Sequence, residues 1–360
     1  MIFIGLGILL FLVLFGIKYT KPKTFFEDNM SPEKTSSMNG LFVMIVFFSH
    51  IKNYFVDMNV YDKAFYSLPI IFTQLIVVSF LFYSGYGMME STKKKGFTYI
   101  QSIPKKRFPK LFIDFAIAIL LFIITNLCLG KTLDLKNTLL AFTGWTAIGN
   151  SNWYIFAIFC FYIIMYLSFL ICKNKSNVWA VTVTTILSIG FIIGISFVKQ
   201  GYWYNTFLCL PFGMWFSLCK EKILAFFKRK YYNYLIVSFL TLTAFVLLYI
   251  FVPGDPFVFN VTSILFAMLL VLGTLKLSIH NKILNWLGKY TFWIYILQRI
   301  PMNVLKQVGL PQINNYLYFF VCLIITILLA ILFKYLSSLI EKLIWRKGKP
   351  KIEAQPTEKA

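Results

Sequence analysis

Acidic side chains are scarce in this chain of 360 residues: 13 Asp and Glu stand against 35 Lys and Arg, with only two histidines. Asp114 is the one acid placed well inside an apolar run, so chemistry that needs paired carboxylates has little to draw on. The six cysteines (Cys128, Cys160, Cys172, Cys209, Cys219, Cys322) form no C-x-x-C pair and have no His/Cys cluster beside them. A zinc site and a disulfide framework are therefore not expected, and no metal is assigned. Charged residues make up 13% of the chain, about half the usual share of a soluble domain. No stretch is long enough for a second, soluble domain. The first segment, "MIFIGLGILLFLVLFGIKYT", lacks a basic leader and a small-residue cleavage site, which predicts a retained anchor over residues 1–20.

Apolar residues are what the chain has in excess, at 59%, with 40 phenylalanines. Near-spanning apolar runs cover approximately 2–17, 38–56, 69–89, 111–129, 152–171, 178–198, 205–219, 232–252, 257–275, 290–306 and 315–338. The expected fold class is all-α: a polytopic membrane helix bundle of about eleven helices. Of the basic residues, 28 fall in segments 18–34, 93–110, 173–175, 220–230, 276–289 and 334–360, and seven on the other side. The positive-inside rule makes the basic face cytoplasmic, with the N-terminus outside. Residues 341–360 then read as a disordered basic cytoplasmic tail. The net charge of +22 is thereby a topology signal, and no nucleic-acid partner is expected.

Within "STKKKGFTYIQSIPKKRFPKLF", seven basic residues lie between two apolar runs, more than orientation needs. Such a loop could hold anionic lipid headgroups or bind a phosphorylated cytosolic ligand. The second unusual stretch is "FVMIVFFSHIKNYF", where His50 sits in an otherwise apolar helix. Ionisable groups in a membrane segment are costly and usually functional. A neutral imidazole there suits a general base, against the plainer reading of a structural histidine bonded to a carbonyl. His280, in a basic loop, is expected to be solvated. Lys110 and Asp114 are spaced for a local i, i+4 pair. Trp153 and Tyr154 suit an interfacial aromatic belt, while Ser84 and Gly85 suit close helix contact.

In order, "SMNGLFVMIVFFSHI", "FLFYSGYGM", "KKRFPKLF", "NWYIFAIFCFYIIMYL", "LCLPFGMWF" and "NWLGKYTFWIYILQRIP" resemble the membrane-bound acyltransferase-3 family, largely bacterial surface-polysaccharide O-acetyltransferases. The resemblance spans about residues 33–340 and implies a ten-helix core, with the first helix as an addition. It also implies acetyl-CoA as cytosolic donor, a glycan or lipid-linked glycan as acceptor, a bacterial plasma membrane and catalysis by His50. Arg107, with Lys110 and Lys106, would help hold acetyl-CoA. The family's arginine eleven residues before the histidine is Asn39 here; that spacing returns to one helix face about 16 Å away. Lys34 or the basic loop could supply the missing charge. In the C-terminal motif, often Leu-Gly-x-x-Ser-x-x-x-Tyr-x-x-His, Tyr295 is retained, Thr291 replaces the serine and Gln298 the histidine, and Arg299 follows. Asn39, Ser84, Trp153, Tyr295, Gln298 and Arg299 are the expected substrate-contacting or supporting positions. The competing reading is a transporter or flippase for a lipid-linked sugar, but no internal repeat of the transporter kind is found. A purely structural partner of a polymerase is the third; there His50 would be dispensable.

Overall fold

The structure, a computed structural model, describes residues 2–56 and 73–346. It is a helical bundle, and the only strands among the described residues are the dipeptides β1 (Lys18–Tyr19) and β2 (Leu277–Ser278), paired antiparallel. In chain order the helices are α1 (Ile2–Leu14), α2 (Pro32–Ile51), α3 (Val78–Lys95), α4 (Phe97–Ser102), α5 (Phe108–Cys128), α6 (Leu135–Ala141), α7 (Trp153–Ile171) and α8 (Asn177–Ser196). There follow α9 (Cys209–Arg229), α10 (Tyr231–Phe251), α11 (Pro256–Lys276), α12 (Lys282–Gly288), α13 (Thr291–Leu297), α14 (Arg299–Gln307), α15 (Leu310–Ile313) and α16 (Asn315–Arg346).

Six helical stretches are long and apolar enough to cross a membrane: Phe97–Cys128, Trp153–Ile171, Asn177–Ser196, Tyr231–Phe251, Pro256–Lys276 and Asn315–Ile344. Their outer faces expose large apolar side chains such as Ile124, Ile163, Ile186, Phe239 and Leu328. Water would penalise such a surface, and lipid would not.

The other expected spans take different forms. α1 has 13 residues, about 20 Å of rise against a hydrocarbon core of about 30 Å. It is docked on the bundle: the side-chain amide of Asn281 donates to Leu12 O (2.7 Å), and Gly5 abuts Phe319. The expected run 290–306 is broken into α13 and α14. Pro301 has no N–H for Leu297 O and its ring crowds that carbonyl, so the helix stops there. Part of run 69–89 lies outside the described residues. The basic segment expected as a loop is helical. Gly96, at φ +63°, ends α3, and α4 then runs into α5 through a wide turn at Ile103–Arg107. There Pro104 and Pro109 cannot donate, and Phe108 N–H reaches back five residues to Ile103 O. At the far end α16 continues to Arg346, so residues 341–346 are helix and not tail; the rest of the expected tail lies outside the described residues.

Two tight crossings set the centre of the bundle. A Cβ on Gly40 would lie 2.0 Å from Leu284 O, and one on Gly288 would lie 1.8 Å from Ser36 O, so α2 and α12 touch backbone to backbone. Gly85 and Gly213 do the same for α3 and α9, with Cβ positions 1.9 Å from Leu210 O and 2.2 Å from Phe82 O. Where lipid gives helices no hydrophobic reason to associate, this close approach supplies the dispersion contacts instead.

Candidate functional site

α2 is the axis of the polar interior. It begins cleanly: Ser31 caps it by accepting from Lys34 N–H (3.4 Å), Pro32 occupies the first turn and Glu33 suits the positive end of the dipole. Asn39 lies near its basic end and His50 in its last turn, before the chain tightens into a 3₁₀ turn at Lys52–Tyr54.

Two cavities flank this axis. The one at the basic end, of about 400 Å³, is bounded by Thr35 and Asn39 from α2, Tyr83 and Ser84 from α3, Tyr154 from α7, and Lys289 before α13. The other, of about 160 Å³, contains His50 with Ser49, Gln74 and Trp153. Tyr295 borders both. Its ring meets Tyr154 edge-on at 5.4 Å between centroids and lies 6.5 Å from the His50 ring.

Buried polar atoms without a partner gather here. Asn39 Oδ1, His50 Nδ1 and Gln74 Oε1 belong to residues that line the cavities, and Gln298 Oε1 and Arg299 Nε belong to residues beside Tyr295 and His50. Buried polar groups are nearly always satisfied in folded proteins, so this cluster marks a place that receives a polar ligand or water.

The expected site residues divide into two sets. Asn39, Ser84, His50, Trp153 and Tyr295 come together around the cavities. Gln298 is fully buried behind them and its Nε2 donates to Tyr295 O at 2.9 Å, and Arg299 lies close enough to His50 and Tyr295 to act on them electrostatically. Arg107, Lys106 and Lys110 border neither cavity. Arg107 is exposed, its guanidinium 5.6 Å from the Tyr99 ring centre, and Lys106 is exposed on the same turn. Lys110 is engaged by the Glu341 carboxylate and lies 3.7 Å from Asp114, which also accepts from the Ser337 hydroxyl. The i, i+4 pair is thus part of a larger tie between α5 and α16, and Lys110 is committed to it.

Three readings change. Lys34, a suggested stand-in for the missing arginine, is held by Asp28 at 2.6 Å and covers the Phe26 ring. That ammonium holds the Asp28 carboxyl below its usual range by hydrogen bonding and charge. His280 is not simply solvated: its Nδ1 shares a hydrogen bond with Ser37 Oγ of α2 at 2.9 Å. Trp153 and Tyr154 face the interior cavities, not an interfacial belt. Sequence reasoning missed Lys289, the only Lys or Arg among the described residues that borders the basic-end cavity, although it stands inside the motif beginning at Leu287. It also missed Gln74, which no spacing links to His50.

Lipid-facing helices around a polar axis with an imidazole at one end define a multi-pass membrane protein with an internal reaction or transport site. A family model described as an acyltransferase domain matches residues 38–335, and the chain belongs to that acyltransferase-3 family. It is a membrane acyltransferase. No curated protein and no solved structure matches the chain.

Proposed function

We propose that this acyltransferase moves an acetyl group from acetyl-CoA, entering at the basic and cytoplasmic end, to a hydroxyl of a capsule or cell-wall glycan or its lipid-linked precursor. The observation that carries this reading is the pair of cavities that share Tyr295 as a wall, one bordered by Lys289 and the other containing His50. The basic-end cavity has aromatic walls and amide and hydroxyl edges, chemistry suited to the extended, amide-bearing arm of a coenzyme A thioester. Arg107 and Lys106, exposed on the wide turn, are available to the phosphates outside it.

His50 serves as the general base. Its imidazole takes the proton of the acceptor hydroxyl as that oxygen attacks the thioester carbonyl, and returns it to the departing thiolate. Among the described residues no Asp or Glu borders either cavity to compete for that role. Gln74 offers the acceptor an unpartnered amide oxygen.

The test is the O-acetyl content and the amount of surface glycan in cells carrying the parent, His50→Ala or His50→Gln. Both variants should insert and fold yet lose acetylation by about 10²–10⁴-fold. Glutamine does no better than alanine because an amide does not accept the proton at neutral pH. Normal acetate stoichiometry in the alanine variant would rule out the base. Loss of exported glycan with unaltered acetylation of what remains would favour the flippase reading.

A further inference from the structure

Among the described residues Tyr295 is the one that borders both cavities. It is 4% exposed, and its placement is fixed from several directions. Tyr154 packs edge-on against the ring at 5.4 Å between centroids, and the His50 ring lies 6.5 Å away. Its carbonyl is tied to Gln298 Nε2, and the Ser151 hydroxyl lies beside its phenol. The seven-residue helix that carries it is closed at its start by Thr291 Oγ1 donating to Gly288 O (2.9 Å) and at its end by the Pro301 break. Such a side chain is pre-positioned: it does not have to reorganise when charge develops next to it.

We propose that the Tyr295 phenol is a catalytic hydrogen-bond donor to the thioester carbonyl oxygen, at the point where the acyl group leaves the basic-end cavity for the His50 cavity. This rests on the acetyl-transfer reading above. The acceptor hydroxyl oxygen bonds to the carbonyl carbon while His50 takes its proton. The carbonyl π electrons move onto oxygen, and the phenol O–H holds that oxyanion. As those electrons return, the carbon–sulfur bond breaks and the thiolate takes the proton from the imidazolium. Ser49, Gln74 and Trp153 also carry donors in the His50 cavity, but none of them borders the cavity from which the thioester would come. A neutral phenol suits a site enclosed by apolar helices, because the donor itself brings no further charge to be desolvated beside Arg299.

The experiment uses membranes containing the full-length protein, labelled acetyl-CoA as donor and the endogenous envelope glycan as acceptor. Tyr295→Phe removes one oxygen and keeps the packing. Its kcat should fall by about 10²–10³-fold, the usual loss for one oxyanion donor, with KM for acetyl-CoA and thermal stability unmoved. A raised KM with kcat intact would make Tyr295 a binding wall and overturn the proposal. Parental turnover in Tyr295→Phe, with His50→Ala inactive, would overturn it and leave the acetyl-transfer reading standing. Parental turnover in both variants would remove that reading too. If Tyr295→Phe loses its fold, 3-fluorotyrosine placed at 295 decides: its more acidic phenol keeps the shape and should change the rate, and an unchanged rate refutes the role.

Discussion

Charge placement at single residues separates the ways this chain uses its cations. Lys34 and Lys110 are each held by carboxylates, and Lys276 is enclosed by the Phe25 and Tyr231 rings while donating to Pro22 O and Thr24 O. Lys289 has no such carboxylate among the described residues and lines the basic-end cavity. If the donor enters there, Lys289→Ala should raise KM for acetyl-CoA by roughly 10–100-fold, the equivalent of one charge-assisted hydrogen bond. Arg107→Ala should have a similar effect, with Arg107→Lys recovering part of it because the planar fork is lost. Initial rates against acetyl-CoA concentration measure all three. An unmoved KM in Lys289→Ala would place the donor's path elsewhere.

At the scale of elements, the crossings through glycine are the most exacting feature. Gly288→Ala would put a methyl group 1.8 Å from Ser36 O, and a backbone oxygen cannot swing aside. α2 and α12 must separate, at an overpacking cost of about 1–3 kcal/mol, and the wall of the basic-end cavity moves with them. Gly87→Ala is the control, since nothing lies within 4 Å of its Cβ position and it sits on an exposed helical face. There the substitution should be neutral or slightly stabilising. Thermal unfolding in detergent distinguishes the two, and equal midpoints would mean that the helices do not meet through their backbones.

Much at this scale was legible in the sequence. Sustained apolar runs foretold α5, α7, α8, α10, α11 and α16, because length and hydropathy alone decide what lipid tolerates. The apolar run 290–306 reads as one span and hides the break after Leu297, although Pro301 carries the physical signal for it. The wide turn at Ile103–Arg107 was not legible, because charge density in "KKKGFTYIQSIPKKR" outweighed its helical period. His50 and Tyr295 were legible as chemistry but not as neighbours. Their proximity depends on the packing of α2 with α13 across more than 240 positions, and pattern carries no such information. Lys289 was hidden for the same reason: it becomes a cavity residue only once Gly288 lets α12 settle on α2.

For the whole molecule, direction is the property that joins charge to chemistry. Lys93, Lys94 and Lys95 end α3, Arg229 ends α9, Lys276 ends α11 and Arg346 ends α16. The cavity bordered by Lys289 takes Thr35 and Asn39 from the half of α2 nearer this basic end, while His50 lies near the opposite end of α2. The positive-inside rule assigns the basic end to the cytoplasm, which under the acetyl-transfer proposal is the donor's side and leaves His50 toward the acceptor's. Reporters fused after Arg107 and after Lys347 should therefore read cytoplasmic, and those near Asp62 and after Gly254 should read outside; Asp62 and Lys347 lie beyond the described residues. Gly254, at φ +97°, is in the short turn between α10 and α11, so its reading tests the bundle's alternation independently of the basic segments. A cytoplasmic signal at Gly254 would invert that pair of helices. Outside signals at both Arg107 and Lys347 would invert the whole molecule. The cavity beside Lys289 would then face away from the acetyl-CoA pool, and a cytosolic donor could not be the substrate that enters it.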